Sequence, residues 1–558
     1  MFNLPVTEPP TLAPDTLRII PLGGLGDVGR NMTAFEVNGE ILLIDAGVLF
    51  PEEDYPGVDL ILPCFDIIAD RLNDVVGLVL THGHEDHIGA VPYLLKERAD
   101  IEVFGSPLTL ALVDNKLKEH KILSPRFTEV DEGQRFTIGT QFDVEFVAVS
   151  HSIPDALAVF LRTAGGTVLH TGDFKMDQLP LDNRLTDLRS FARFGQEGVD
   201  LFMVDSTNSE IPGFTTAEIN VEPALRRVFA AAPAKIVVSC FASHVYRVQQ
   251  IINQAELHGR TVIFVGRSMV RNMGIARDMG YLKIPSGVLA DIADIDAIPE
   301  SDVVLICTGS QGEPASALAR MANDSHPSIK LGSQDTVVLA SSLVPGNEVA
   351  VNRVINSLVQ MGVAVVHKGN ALVHVSGHAS AGELTYCYNL VTPKNVMPVH
   401  GEHRHLVANA NLAKATGVES VLTVEDGTVI DVSDHQARIT GKFDAGYILV
   451  DGMSVGSVSE ESLAARRILG SEGFITVIAV VHQMSELVSL DIQARGFMDD
   501  ETVFADVEPQ IHSNLGAALS EGVTDTHLLQ QVIRRTIGRW VATTLRSRPM
   551  ILPVVIHA

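Results

Sequence analysis

The sequence predicts an α/β protein in three parts: a layered domain whose strands end in metal-ligand residues, a doubly wound α/β domain inserted into it, and a small α+β domain at the C-terminus. Three observations carry this expectation. Short apolar segments between residues 17 and 205 repeatedly end in histidine or aspartate. From about residue 213 helical spacing alternates with short apolar runs, the pattern of parallel strands joined by crossover helices. Histidine-bearing strand ends then return at 374–380 and 397–402, so one domain interrupts another.

Taken in order, residues 1–16 carry Pro5, Pro9, Pro10 and Pro14 and read as an extended arm. Residues 17–212 form the first part of the layered domain, with strands at 17–22, 32–37 and 41–45. The glycine-rich turn at 23–31 lacks the helix that a dinucleotide fingerprint must open, so it reads as a turn bringing backbone close to the candidate site. A buried strand at 75–80 leads, through the run 81–89, into helical spacing at 90–97. Further strands fall at 101–104, 142–149, 167–169 and 199–204. The inserted domain spans 213–366, with helices at 216–231, 243–258 and 268–279 and strands at 235–239, 261–265, 303–307 and 337–340. The layered domain resumes at 367–450, and 451–458 is a linker. In the last domain, 459–558, strands at 473–481 and 487–493 pair, helices follow at 508–521 and 526–546, and a strand closes at 550–555.

With 558 residues the chain exceeds one compact domain, and 46% hydrophobic with 20% charged residues is globular composition. A formal net charge of −27 counts against non-specific nucleic-acid binding, unless metals or a locally basic groove overrule the average. Cys64, Cys240, Cys307 and Cys387 form no Cys-x-x-Cys pair and read as buried thiols of a reducing compartment. The N-terminus has no secretory pattern and no run reaches 18 apolar residues, so the expectation is a cytoplasmic protein without a membrane span.

The chemistry concentrates in Thr81-His82-Gly83-His84-Glu85-Asp86-His87, three imidazoles and two carboxylates at the end of a buried strand. Imidazole and carboxylate suit zinc and similar divalent ions, and their alternation directs neighbouring side chains at two centres, so the spacing suggests two metals. Asp45 ends a neighbouring strand, where a carboxylate orienting a metal-binding histidine is needed. His151, Asp173, Asp205, His378 and His400 also follow strands, while His170 should face the opposite side by alternation and serve packing. Residues 239–243 and 308–313 are turns between strand and helix that read either as phosphate cradles or as ordinary capped turns.

These motifs, in this order, resemble the metallo-β-lactamase superfamily, and within it the β-CASP nucleases of the ribonuclease J family. The likeness covers residue 17 to the C-terminus and rests on 81–89, 150–152, 170–173, 204–207, 374–380 and 398–402. It implies an αββα sandwich with an inserted β-CASP domain. It also implies that His82, His84 and His151 bind one divalent metal, that Asp86, His87 and His400 bind the other, and that Asp173 bridges them. Zinc, manganese or both are the implied ions. Asp205 and His378 correspond to the first and second β-CASP motifs, and the stretch His374, Val375, Ser376, Gly377 and His378 to the segment touching the substrate phosphate. Asp86, Asp205 and His378 are the implied catalytic residues, with His378 protonating the departing sugar oxygen while Asp205 keeps it charged.

The function implied is 5′-to-3′ hydrolysis of single-stranded RNA from 5′-monophosphate ends, with some internal cleavage, in rRNA and mRNA maturation and decay. A homodimer or homotetramer through the C-terminal domain and partners in RNA decay are implied as well. Redox di-iron members of the superfamily carry glutamate where this chain has His84, which favours hydrolysis. DNA-cleaving relatives tend to carry valine at the position of His400, and a small-molecule hydrolase needs no second α/β wall. The full ligand set argues against a non-catalytic scaffold.

Overall fold

The computed structural model describes residues 5–51, 54–344, 346–482, 486–498 and 501–557. The first four residues of the expected arm lie outside this set. The chain forms two compact units, Met1–Phe50 with Ile61–Ile448, and Pro51–Leu60 with Leu449–Ala558.

In the first unit two sheets face each other. One runs Gln436–Lys442, Thr428–Ser433, Leu17–Gly23, Met32–Val37, Glu40–Ile44, Val75–Val79, Glu102–Gly105, Arg126–Glu129. The other runs Ser420–Val421, Asn395–Val399, Leu201–Asp205, Gly166–His170, Leu157–Thr163, Phe142–Ala148, Arg135–Ile138. The alternation of side chains along a strand explains the layering. In Leu157–Thr163, Leu157, Val159 and Leu161 enter the core between the sheets, while Ala158 and Phe160 enter a second core on the opposite face. Leu201–Asp205 repeats this, with Leu201 and Met203 between the sheets and Phe202 and Val204 beneath helices. Those helices, Leu188–Glu197, Ala381–Val391 and His403–Ala415, supply Phe191, Phe194, Leu384, Tyr388 and Ala413. A sheet buried on both faces accounts for its nearly continuous apolar strands.

The inserted part is a five-stranded, wholly parallel sheet ordered Thr261–Val265, Val303–Cys307, Ile236–Ser239, Thr336–Leu339, Ala364–His367. Separate apolar cores cover its two faces, one under Glu222–Ala231, Val245–Leu257 and Arg267–Asp278, the other under Ala317–Ala322 and Glu348–Gln360. This is the doubly wound arrangement that the βα alternation predicts. Hydrogen bonds from Tyr246 to Asp182 and from Tyr281 to Asp155 tie it to the layered part.

Among the described residues of the second unit, Glu486–Arg495, Phe474–His482 and Met550–His557 form a three-stranded sheet. Helices Glu508–Ser520 and Thr526–Trp540 close its core. The helix expected through residue 546 is α-helical only to Trp540, then passes through a π turn at Val541–Leu545 and stops at Arg546 in a left-handed conformation. Helix Glu460–Glu472 is absent from the sequence expectation because it has no apolar stripe and buries only Leu463. The stretch expected as a linker holds a strand, Ser454–Val455, paired with Ile448–Asp451. Residues 51–60 join this unit through Asp59, whose amide donates to Val450 O (2.8 Å) and whose carboxylate accepts from Gly452 N (2.7 Å).

Candidate metal centre

Topology gathers the site. Gly166–His170, Leu201–Asp205 and Asn395–Val399 are adjacent parallel strands, with His170 opposite Met203 and Asp205 opposite Val399. Their C-terminal ends therefore deliver Asp173, Asp205 and His400 to one place, where open α/β sheets form their sites. From the facing sheet Val75–Val79 lies parallel to Glu40–Ile44, with Val79 opposite Ile44, so Asp45 and Thr81 emerge together. The ligand run is itself one helical turn, Glu85–Ile88, with His84 at its N-cap. A Cβ at Gly47 would lie 1.6 Å from Asp86 O, so only glycine admits this turn.

Among the described residues three donor groups share Asp173: two draw on the run 81–87, and the third joins Asp205, His378 and His400. His82 Nε2 and His151 Nε2 each lie 3.1 Å from His84 Nδ1, and both lie 3.6 Å from Asp173 Oδ2. A tetrahedral ion with bonds near 2.0–2.1 Å has donors about 3.3 Å apart, so the four atoms fit one cation. In the second cluster His87 Nε2 lies 3.3 Å from Asp173 Oδ2 and 3.6 Å from Asp86 Oδ2. His400 Nε2 lies 3.2 Å from Asp86 Oδ2 and 3.7 Å from Asp173 Oδ1. Asp173 is common to both clusters.

Hydrogen bonds on the far side of the rings fix their orientation, as metal sites require. Asp45 Oδ2 faces His87 Nδ1 at 2.7 Å, while Asp45 Oδ1 accepts from Thr81 N at 2.8 Å. Thr81 Oγ1 donates to Asp45 Oδ2 (2.9 Å) and lies 3.1 Å from His82 Nδ1. His151 Nδ1 donates to Gly377 O at 2.8 Å, and Thr207 Oγ1 lies 2.6 Å from His400 Nδ1. Asn31 Nδ2 donates to Asp86 O at 3.0 Å, which places the turn 23–31 against the site.

Electrostatics separates the two clusters. Burial pushes the pKa of His82, His84 and His151 down, His84 to about 4, so all three present neutral nitrogens. Burial also opposes charge on His87 and His400, but the carboxylates outweigh it, and through protein charges alone His400 is raised to about 10. The second cluster therefore exchanges protons for any cation it takes up.

Beside the clusters His378 Nδ1 meets Asp205 Oδ2 at 2.8 Å. Burial opposes the imidazolium, yet Asp205, through its charge and hydrogen bond, and then Asp173 raise the His378 pKa above the ordinary value. The His378 side chain keeps 18% exposure against 2% for Asp173 and 4% for His400, so it can meet a substrate.

In the stretch 374–378 the roles divide. The Val375 side chain belongs to the apolar core of the inserted part. The Gly377 carbonyl is committed to His151, and a Cβ there would lie 2.6 Å from the His151 ring. Ser376 Oγ accepts from His378 N at 3.3 Å. His374 is buried beside His244, with Arg247 and Glu218 close by, and burial then Arg247 lower its pKa. His170, expected to face away from the site, instead lines a cavity of about 20 Å³ with His87, Asp173 and His400, because the chain turns after the strand end, where its ring accepts from Gly172 N at 3.0 Å. In 308–313 the Gln311 amide donates to Glu313 and the Gln311 side chain braces Ser342 and Val344. Thr207 and Asn31 escaped sequence reasoning; the first follows Asp205 by two residues, and the second gives no local signal.

Comparisons with known proteins agree with this geometry. Four family descriptions match: beta-lactamase superfamily domain over 42–237, ribonuclease J beta-CASP domain over 233–358, Zn-dependent metallo-hydrolase RNA specificity domain over 362–423, and ribonuclease J C-terminal domain over 461–558. The chain is 51% identical to ribonuclease J of Mycolicibacterium smegmatis over 99% of both chains. It is 38% identical to that of Thermus thermophilus, over 97% of this chain and 96% of the relative. A crystal structure of an Enterococcus faecalis protein of unknown function superposes with TM-score 0.53 at 14% identity. It covers 75% of this chain and 100% of that chain, a likeness of fold alone.

Proposed function

The chain belongs to the ribonuclease J family and is a metal-dependent ribonuclease, and from that premise we propose that it hydrolyses RNA from 5′-monophosphate ends, 5′ to 3′, with some internal cleavage. The observation that carries this reading is the pair of four-donor clusters sharing Asp173, flanked by a partly exposed His378 held by Asp205. His82, His84, His151 and Asp173 would hold one divalent cation, and Asp86, His87, His400 and Asp173 the other. When bound, two such ions activate the attacking water and neutralise the phosphoryl oxygens.

The remaining chemistry belongs to the chain. Water oxygen bonds to phosphorus as the bond from phosphorus to the departing 3′ oxygen breaks. His378 gives its Nε2 proton to that oxygen, help typically worth about 10²- to 10⁴-fold. Asp205, accepting from Nδ1, aims the ring and keeps it charged. Ser376, the neutral His374 and nearby amides form the candidate pocket for the terminal phosphate.

Zinc, manganese or both suit donors that are imidazole nitrogen and carboxylate oxygen. A DNA substrate and a small-molecule substrate are disfavoured, since the matched segment 362–423 is described as an RNA specificity domain. Four free, buried cysteines and the lack, among the described residues, of a helix able to cross a membrane support a cytoplasmic setting. A homodimer or homotetramer through the C-terminal domain, partners in RNA decay, and the boundaries 17–212, 213–366, 367–450 and 459–558 complete the proposal.

The test uses RNA and DNA of one sequence, end-labelled, with 5′-hydroxyl, monophosphate or triphosphate, and Mn²⁺, Mg²⁺ or Zn²⁺ added. Rapid loss of monophosphorylated RNA, slower loss of the triphosphate and intact DNA are expected. Equal rates at all three ends would refute the end preference.

A further inference from the structure

The second donor cluster depends on a histidine in an unusual backbone state. His400 has φ +54°, a left-handed conformation that non-glycine residues rarely adopt. Its ring is also free in principle to expose either nitrogen, because a neutral imidazole carries its proton on one or the other. Nε2 is the ring nitrogen that faces Asp86 and Asp173. Something must therefore hold the backbone and keep the ring turned that way.

The four residues 205–208 meet both needs. Ser206 N donates to His400 O at 3.2 Å, which pins the strained backbone. Thr207 Oγ1 lies 3.3 Å from that same carbonyl and 2.6 Å from His400 Nδ1. One hydroxyl thus touches both the backbone and the Nδ1 edge of the ring, which holds the ring's tilt. The turn is anchored in its turn. Thr207 N donates to Asp205 Oδ1 at 3.0 Å, and Asn409 Nδ2 donates to Asp205 O (3.2 Å) and Ser206 Oγ (3.0 Å). Asp205 Oδ1 is 3.6 Å from His400 Nδ1, beyond hydrogen-bonding reach, so the hydroxyl is the ring's direct partner.

We infer that Thr207 is a positioning residue of the second metal site: its hydroxyl holds the Nδ1 edge of His400 and so aims Nε2 at the cation. The same turn serves His378, through Asp205 Oδ2 to the ring and Asn208 Nδ2 to the His378 carbonyl (3.0 Å). One tetrapeptide thus sets the geometry of a metal ligand and of the proton donor at once. The inference rests on the assignment of His400 as a metal ligand.

The experiment measures Mn²⁺ binding to metal-stripped full-length protein by calorimetry, and the Mn²⁺ dependence of RNA cleavage, for Thr207→Val, Thr207→Ser and His400→Ala. Thr207→Val is expected to weaken the second binding event by about 10- to 100-fold, with cleavage recovering as Mn²⁺ is raised. Thr207→Ser, which restores a hydroxyl, should return the Mn²⁺ dependence to within about threefold of the parent. His400→Ala should bind one ion fewer. If Thr207→Val binds Mn²⁺ like the parent while His400→Ala loses an ion, the inference is wrong and the metal assignment stands. If His400→Ala keeps both ions, the assignment itself falls. Should Thr207→Val not fold, Thr207→Ala takes its place in the same comparison with Thr207→Ser.

Discussion

Replacing Asp205 by asparagine tests the proposed proton donor through its pH dependence. Asp205 is 1% exposed and its Oδ2 lies 2.8 Å from His378 Nδ1. The asparagine keeps an acceptor of the same shape and removes only the charge. A hydrogen bond to a charged partner is worth about 1.5–3 kcal/mol, and one pKa unit is about 1.4 kcal/mol, so the His378 pKa should fall by about one to two units. The sign follows from the raised value in the parent: the charged acid persists to higher pH than an ordinary histidine and is lost as pH rises through that value. In Asp205→Asn the alkaline limb of the rate profile should therefore move to lower pH by about one to two units. Above that limb the variant should be about 10- to 100-fold slower, and on the acid side it should approach the parent. The assay is single-turnover cleavage of 5′-monophosphorylated RNA from pH 5.5 to 9.5 at saturating Mn²⁺, with bound metal measured at each pH, because Asp205 also faces His400. An equal loss at every pH, with the limb unmoved, would refute the acid role.

Asp86→Ala and His87→Ala are expected to abolish cleavage while circular dichroism stays that of the parent; near-normal turnover of either in metal-controlled buffer would remove the two-metal assignment. Ser376→Ala and His374→Ala should slow decay of 5′-monophosphorylated RNA more than internal cleavage of a 5′-blocked RNA, and equal losses would assign the stretch to the fold or the metals. Deleting residues 459–558 should leave both metal-binding events in calorimetry but lower the mass seen by light scattering and slow attack on long RNA; an unchanged mass would exclude this segment as the oligomer contact. Phe160 is fully buried and stacks on Phe194 with centroids 3.9 Å apart, so Phe160→Ala should cost about 3–5 kcal/mol in urea unfolding.

Local signals in the sequence were enough for the architecture. Alternation in 157–163 and 201–205, the βα rhythm after residue 213, and the histidines at strand ends reveal two interleaved α/β parts, because period and strand-end position are properties of neighbouring residues. The ligand run 81–87 announces a metal centre for the same reason. Where a feature has no local imprint the sequence is silent. Helix Glu460–Glu472 buries one leucine and shows no stripe, and residues 51–60 join the C-terminal unit through bonds to partners nearly 400 positions away. Which core takes the Val375 side chain likewise depends on the packing of the inserted part.

The site divides along the same line. Which residues can bind a cation is a matter of side-chain chemistry, and that is written in the sequence. Which donor group each one joins depends on parallel pairing that sets Asp205 opposite Val399, and so brings Thr207 within 2.6 Å of His400 across 193 positions. Tilt and pKa are set by such through-space partners in a low-dielectric interior, where electrostatic energy depends steeply on distance.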